Sequence, residues 1–121
     1  MKYIVLDDEP IASAYLAELI RENDDEADIT IMSNPIEAVS IALSEKFDVC
    51  FLDIQMPSLN GVEFAKRVKE VHPKTNFIFV TGYSDFMGSA FRLDASDYIM
   101  KPATSEQVRH AIENLRYLPE N

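Results

Sequence analysis

Five short apolar runs, at residues 3–6, 29–32, 49–52, 77–80 and 98–100, recur along the chain, and a stretch with helical spacing follows each of them. Short apolar runs bounded by polar or turn residues read as buried strands. Strands that alternate with helices and carry no regular polar face predict a parallel sheet covered by helices on both sides. The expected fold is a single α/β domain of (βα)5 type, a three-layer sandwich; the order of strands in the sheet is not readable from the runs. The 121 residues, 47% of them hydrophobic, suffice for one domain with one core. That domain is expected over 1–118, with 119–121 as a tail or the start of a linker.

The helical stretches carry their own start and stop signals. Pro10 suits a first turn, and Ala12, Tyr15, Leu16 and Leu19 form an apolar stripe behind it. Asn34-Pro35-Ile36-Glu37 reads as a cap, a first-turn proline and a capping-box glutamate, with Ile36, Val39 and Leu43 as the inner face. A third helix begins near Gly61, where glycine is expected to serve its backbone conformation, turns Phe64, Val68 and Val71 inward, and stops at His72-Pro73. Ser84 is placed to cap a short fourth helix bearing Met87, Ala90 and Phe91, whose interior Gly88 costs roughly 1 kcal/mol relative to alanine. Helical spacing favours a core role for Met87 and Phe91, with an exposed partner surface around them and Tyr98 as the other reading. Thr104 or Ser105 caps the last helix, which carries Val108, Ala111, Ile112 and Leu115.

Four of the strands stop on polar residues of distinct chemistry: Asp7 and Asp8, then Asp53, Thr81 and Lys101. In a parallel sheet these ends share one edge, the edge where ligands bind in open α/β folds. Three carboxylates brought together repel, so either some protonate or a cation joins them. Oxygen ligands without a nearby histidine or cysteine select a hard ion, magnesium over zinc, and magnesium keeps waters and phosphate oxygens in its shell. The implied substrate is a phosphoryl group. Asp53 is the candidate nucleophile, forming an acyl phosphate, with Lys101 balancing charge and Thr81 donating a hydrogen bond to the bound group.

Composition narrows the partners. A net charge of -10 repels nucleic acid and anionic lipid, so neither is an expected direct partner. The lone Cys50 lies inside an apolar run and reads as a buried hydrophobe. No signal peptide or bilayer-length apolar run is visible, and a cytoplasmic location is expected. His72 and His110, away from the acidic group, read as solvated helix residues.

In their order and spacing, Asp7-Asp8-Glu9, Asp53-Ile-Gln-Met-Pro-Ser-Leu-Asn-Gly61, Val80-Thr81-Gly82 and Asp97-Tyr-Ile-Met-Lys101-Pro102 make the chain resemble a response-regulator receiver domain of two-component signalling, from Lys2 to Tyr117. The resemblance implies a flavodoxin-like fold with strand order 2-1-3-4-5 and phosphorylation of Asp53 by a sensor histidine kinase. It implies magnesium held by Asp8, Asp53 and the backbone carbonyl of Gln55, with Asp7 acting through water. It also implies a switch pair, Thr81 and Tyr98, a cis Lys101-Pro102 bond, and a partner or output surface on helix 4, strand 5 and helix 5.

Over 77–116 the chain is similar to receivers of LytTR-type transcriptional regulators, with Tyr-Ser-Asp-Phe after the threonine and Ala-Ser-Asp-Tyr before the lysine. The chain is then either a stand-alone receiver or the receiver piece of a longer regulator, the latter being the favoured expectation. In similar domains Gln55 and Tyr83 occupy positions that modulate access of water to the phosphoryl group, and the bulk of Tyr83 is expected to slow hydrolysis. Gly82 leaves room for that group.

Three competing functions are weaker. Haloacid-dehalogenase-like hydrolases need an acid two residues after the nucleophile, where this chain has Gln55. No turnover enzyme is therefore expected. A nucleotide or flavin domain needs a glycine loop after the first strand, and none is there. A receiver-like interaction module that works without phosphorylation remains the main alternative, although such modules usually lack part of the set that is complete here.

Overall fold

The computed structural model describes residues 1–119; Glu120 and Asn121, the end of the expected tail, lie outside the described residues. In chain order the elements are β1 (Lys2–Leu6), α1 (Pro10–Asn23), β2 (Asp28–Met32), α2 (Pro35–Ser44), β3 (Val49–Leu52), α3 (Gly61–Val71), β4 (Asn76–Thr81), α4 (Met87–Arg92), β5 (Asp97–Met100) and α5 (Ser105–Glu113). The strands form one parallel sheet in the order β2-β1-β3-β4-β5. The expected alternation and the order implied by the resemblance are both found.

Because successive strand residues face opposite sides, β1, β3 and β4 divide their side chains between two cores. Ile4, Leu6, Cys50, Leu52, Phe77 and Phe79 pack with Ala38 and Ala42 of α2, Phe64, Ala65 and Val68 of α3 and Ala90 of α4. Tyr3, Val5, Val49, Phe51, Ile78 and Val80 pack with Leu16, Leu19 and Ile20 of α1 and Val108 and Ala111 of α5. Cys50 is wholly buried, and burial pushes its thiol pKa up, as expected of a structural cysteine. β2 departs from the uniformly buried expectation: it is the sheet edge, and Ile31 is half exposed.

Helix faces differ from the periodic reading where a large residue lies beside the contact stripe instead of on it. In α1 the buried face is Ser13, Leu16, Ala17, Leu19 and Ile20, and the Tyr15 ring is half exposed. In α2 the small Ala38 and Ala42 meet the sheet, which turns Ile36 outward. Val71 ends α3 beyond the last turn that reaches the sheet, and is exposed. The six-residue α4 buries Ala90 alone, leaving Met87 and Phe91 in solvent, so the core reading of both is corrected. Ser84 does not cap it: the N-cap is Phe86, with no side-chain bond. The caps of α2 and α5 form: Asn34 accepts from the Ile36 and Glu37 amides, without the reciprocal bond expected of Glu37, and Thr104 makes a reciprocal capping box with Gln107.

Candidate functional site

The sheet hydrogen-bond ladder continues one residue past three of its strands, and those residues are the predicted ones. The Asp7 amide donates to the Met32 carbonyl at 3.2 Å, the Asp53 amide to Leu6 at 2.9 Å and the Lys101 amide to Thr81 at 2.8 Å. Leu6 pairs with Leu52, which sets Asp7 and Asp53 level, and Thr81 pairs with Met100, which sets Lys101 one step further. Gly61 opens α3 directly behind Asp53: a Cβ there would lie 2.1 Å from the Asp53 carbonyl oxygen. Its φ is not in the left-handed region. The expectation of a conformational role is thus corrected to one of close approach. The Lys101-Pro102 peptide is cis, as the resemblance implied.

The buried carboxylates are matched oxygen by oxygen. Lys101 Nζ lies 2.8 Å from Asp7 Oδ2 and 3.0 Å from Asp53 Oδ2. The remaining oxygens accept backbone amides, Asp7 Oδ1 from Glu9 at 2.9 Å and Asp53 Oδ1 from Ile54 at 2.7 Å. Partial burial works to lower the Lys101 pKa, but the hydrogen bonds and charges of Asp7 and Asp53 outweigh it, so the ammonium titrates above the usual lysine range. Asp8 is exposed at the mouth of the site.

Ligand atoms of Asp7, Asp8 and Asp53 lie within 4.8 Å of one another. Three carboxylates against one ammonium leave two negative charges uncompensated, a balance that suits a divalent cation. The all-oxygen donor set with one open side fits magnesium, which holds few protein ligands and keeps room for phosphate oxygens. Asp8, Gln55, Gly82 and Tyr83 line, with Glu9, Asp53 and Lys101, an open pocket of about 410 Å³. Space beside the Gly82 Cα is open.

Thr81 is fully buried at the end of β4, and its Oγ1 accepts the Tyr83 amide at 3.4 Å. Tyr98 is not among the acidic residues. Its ring packs on Phe79 with centroids 6.1 Å apart, and its hydroxyl donates to the Tyr83 backbone carbonyl. Desolvation first, and then the Asp85 and Asp53 charges, raise the Tyr98 pKa against an opposing bond from the Phe86 backbone. Thr81 and Tyr98 thus meet through the two backbone groups of one residue, Tyr83.

Sequence reasoning gave no role to Glu9, whose amide holds Asp7, or to Ser13, whose buried hydroxyl donates to the Asp7 and Glu9 carbonyls at 3.3 Å. A serine interrupting the buried stripe of α1, six residues after the aspartate, was the available signal. Of the two histidines, His110 is exposed as expected, whereas His72 is half buried with Nε2 3.3 Å from the Leu43 carbonyl.

An acidic cluster answered by a lysine at the carboxyl edge of a 2-1-3-4-5 sheet is the arrangement of a receiver-type site. Residues 3–113 match the response regulator receiver domain family, and the chain belongs to that family. It is 34% identical over 117 residues to the sensory transduction protein LytR of Staphylococcus haemolyticus, covering 97% of this chain and 46% of the relative. The chain thus spans about half the length of the curated relatives it matches. Among solved structures, the response regulatory domain of protein mrkE from Klebsiella pneumoniae superposes with a TM-score of 0.87 at 30% identity, covering 95% of this chain and 94% of that one. The REC domain of AraT, a response regulator from Geobacillus stearothermophilus, gives 0.82 at 30% identity, covering 93% and 89%. The transcriptional regulatory protein LytR of Staphylococcus aureus is 30% identical over 116 residues, covering 96% of this chain and 47% of the relative. Among the described residues no helix is long and apolar enough to cross a membrane.

Proposed function

We propose that Asp53 is the phosphoacceptor of a two-component phosphorelay and that a sensor histidine kinase supplies the phosphoryl group. The observation that carries this reading is the pairing of Asp53 with Lys101 at 3.0 Å inside a three-carboxylate cluster open to solvent on the Asp8 side. An Asp53 carboxylate oxygen attacks phosphorus, the P–N bond of the phosphohistidine breaks, and its electron pair returns to the imidazole. Magnesium, when bound, offsets the charge on the transferring oxygens. Asp8, Asp53 and the Gln55 carbonyl would hold it, with Asp7 acting through water. Lys101 exchanges part of its contact with the carboxylates for the phosphoryl oxygens, and Gly82 leaves space for them. Ile11, 86% exposed, and Pro102 flank this edge and offer the kinase an apolar footing.

Thr81 and Tyr98 form the switch in this reading. A phosphoryl oxygen that attracts the Thr81 hydroxyl draws on the group that now accepts the Tyr83 amide, and the same residue anchors Tyr98. The output is a changed face at α4, β5 and α5, where Met87, Phe91 and Met100 are exposed, presented to an output domain or partner protein. Cytoplasmic location belongs to the same reading, and so does use within a longer transcriptional regulator, which the name and length of the LytR relatives support. Residues 1–118 are the receiver, with 119 onward as a tail or linker.

Intact-mass spectrometry after incubation with magnesium and a small acyl phosphate tests the reading. A phosphoryl adduct is expected on the wild type and not on Asp53→Asn. A folded wild type that takes no adduct would favour an interaction module independent of phosphorylation.

A further inference from the structure

Lys101 must hold its ammonium between two carboxylates, yet the segment that follows it, Pro102 to Thr104, belongs to neither β5 nor α5. Pro102 has no amide proton to donate, and the Thr104 amide is taken by the Gln107 side chain of the capping box. The Ala103 carbonyl is held from elsewhere: the Tyr15 hydroxyl of α1, 88 residues away in sequence, donates to it at 2.7 Å. Ala103 is itself buried, seated in the core shared by α1 and α5. The same helix also controls the opposite partner of Lys101. Ser13, two residues before Tyr15, donates to the Asp7 carbonyl, and the Glu9 amide at the helix start holds the Asp7 carboxylate. One helix end thereby fixes both Asp7 and the segment that follows Lys101.

We propose that Tyr15 is a positioning residue for phosphoryl transfer: through its bond to the Ala103 carbonyl it keeps the Lys101 ammonium aimed at Asp53. The half-exposed ring contributes little to the core, so the hydroxyl is its distinctive group. This inference rests on the phosphoacceptor reading of Asp53. Small misplacements of a charge-bearing group at a reacting centre cost far more in rate than in stability.

Tyr15→Phe removes the hydroxyl and keeps the ring. Two readouts are taken on the wild type and the variant, with a small acyl phosphate donor so that no partner contact enters. The first is the rate of adduct formation with magnesium at a fixed donor concentration. The second, without donor, is the NMR signal and water exchange of the Lys101 ammonium, assigned by its disappearance in Lys101→Arg. We expect the rate to fall about three- to tenfold and ammonium exchange to quicken. An unchanged rate overturns the proposal, and so does a slower rate with an unaltered ammonium signal, because Tyr15 would then act by some other route. A wild type that takes no phosphoryl group defeats the underlying reading instead, while unaltered ammonium exchange in Tyr15→Phe would still count against the positioning role.

Discussion

Gly61 rests against Asp53 so closely that a single methyl group at its Cα would stand 2.1 Å from the Asp53 carbonyl oxygen. The Gly61 amide also donates to the Ile54 carbonyl at 3.0 Å, tying the helix start to the turn behind Asp53. Both contacts are to backbone, which cannot move aside as a flexible side chain can. Gly61→Ala is therefore expected to destabilise the fold by about 1–3 kcal/mol, as overpacking does, and to displace Asp53. Urea unfolding checks the first effect; an unchanged midpoint would mean that the turn yields freely.

Replacing Lys101 by methionine leaves Asp7 and Asp53 buried without their cation. Stability in metal-free buffer should drop by about 1–3 kcal/mol, the lower range for breaking a pair that is only partly buried. Magnesium should bind more tightly to the variant, since the ammonium no longer competes for the same oxygens. Titration followed by amide chemical shifts would show this, and weaker binding would contradict the charge balance drawn for the site.

Alkaline pH provides a separate check. The folded-state pKa of Lys101 is raised above its unfolded value, so the folded protein keeps a proton that the unfolded chain releases. Its stabilisation is complete below the unfolded lysine value, about 10.4, and is lost as pH rises through the higher folded value. Wild type should lose stability through this window more steeply than Lys101→Met. Parallel slopes for the two proteins would remove Lys101 as the cause.

Tyr98→Phe deletes the hydroxyl that donates to Tyr83 while keeping the ring on Phe79. The global cost should be modest, about 0.5–1.5 kcal/mol for one hydrogen bond. Amide exchange between β4 and α4 should quicken well beyond that at the sheet. Uniform exchange changes across the molecule would show that the bond serves the fold instead of the loop.

Tyr83 is half exposed and lines the pocket in front of Asp53. Tyr83→Ala should shorten the lifetime of the phosphorylated protein several-fold by opening a path for water. Decay followed by intact mass decides it, and an unaltered lifetime would leave Tyr83 as an anchor for Tyr98 alone.

Four of the strands were legible because their apolar runs are unbroken and stop on residues whose polarity contrasts with them; Leu52 before Asp53 is the plainest case. The shared edge followed from parallel pairing, and that is why Asp7, Asp53 and Lys101 could be grouped before their distances were known. Helix faces were less legible, since periodicity places a stripe only to within a residue or so. Tyr15, Ile36 and Val71 lie just beside the contact, where packing on a twisted sheet decides. Met87 and Phe91 were misread because α4 has only six residues and meets the core through Ala90, a contact that spacing does not reveal. Ser13 and the Tyr15 hydroxyl escaped notice because each acts on a backbone carbonyl, and carbonyl partners carry no residue-type signal.

The ladder bonds that reach one residue past β1, β3 and β5 tie the site to the order in which the chain becomes organised. Asp53 and Lys101 are 48 residues apart, and β4 must already lie between their strands before the two can meet. No local segment, however well formed, contains the charge cluster. Contacts of this sequence separation carry the entropy cost of closing a long loop, which the pairing of β3, β4 and β5 must offset before the ammonium and its carboxylates come into register. The carboxylates can gather once β1 and β3 are paired, but the ammonium that answers them arrives only with β5, so the complete charge cluster is a property of the whole sheet and of no part of it.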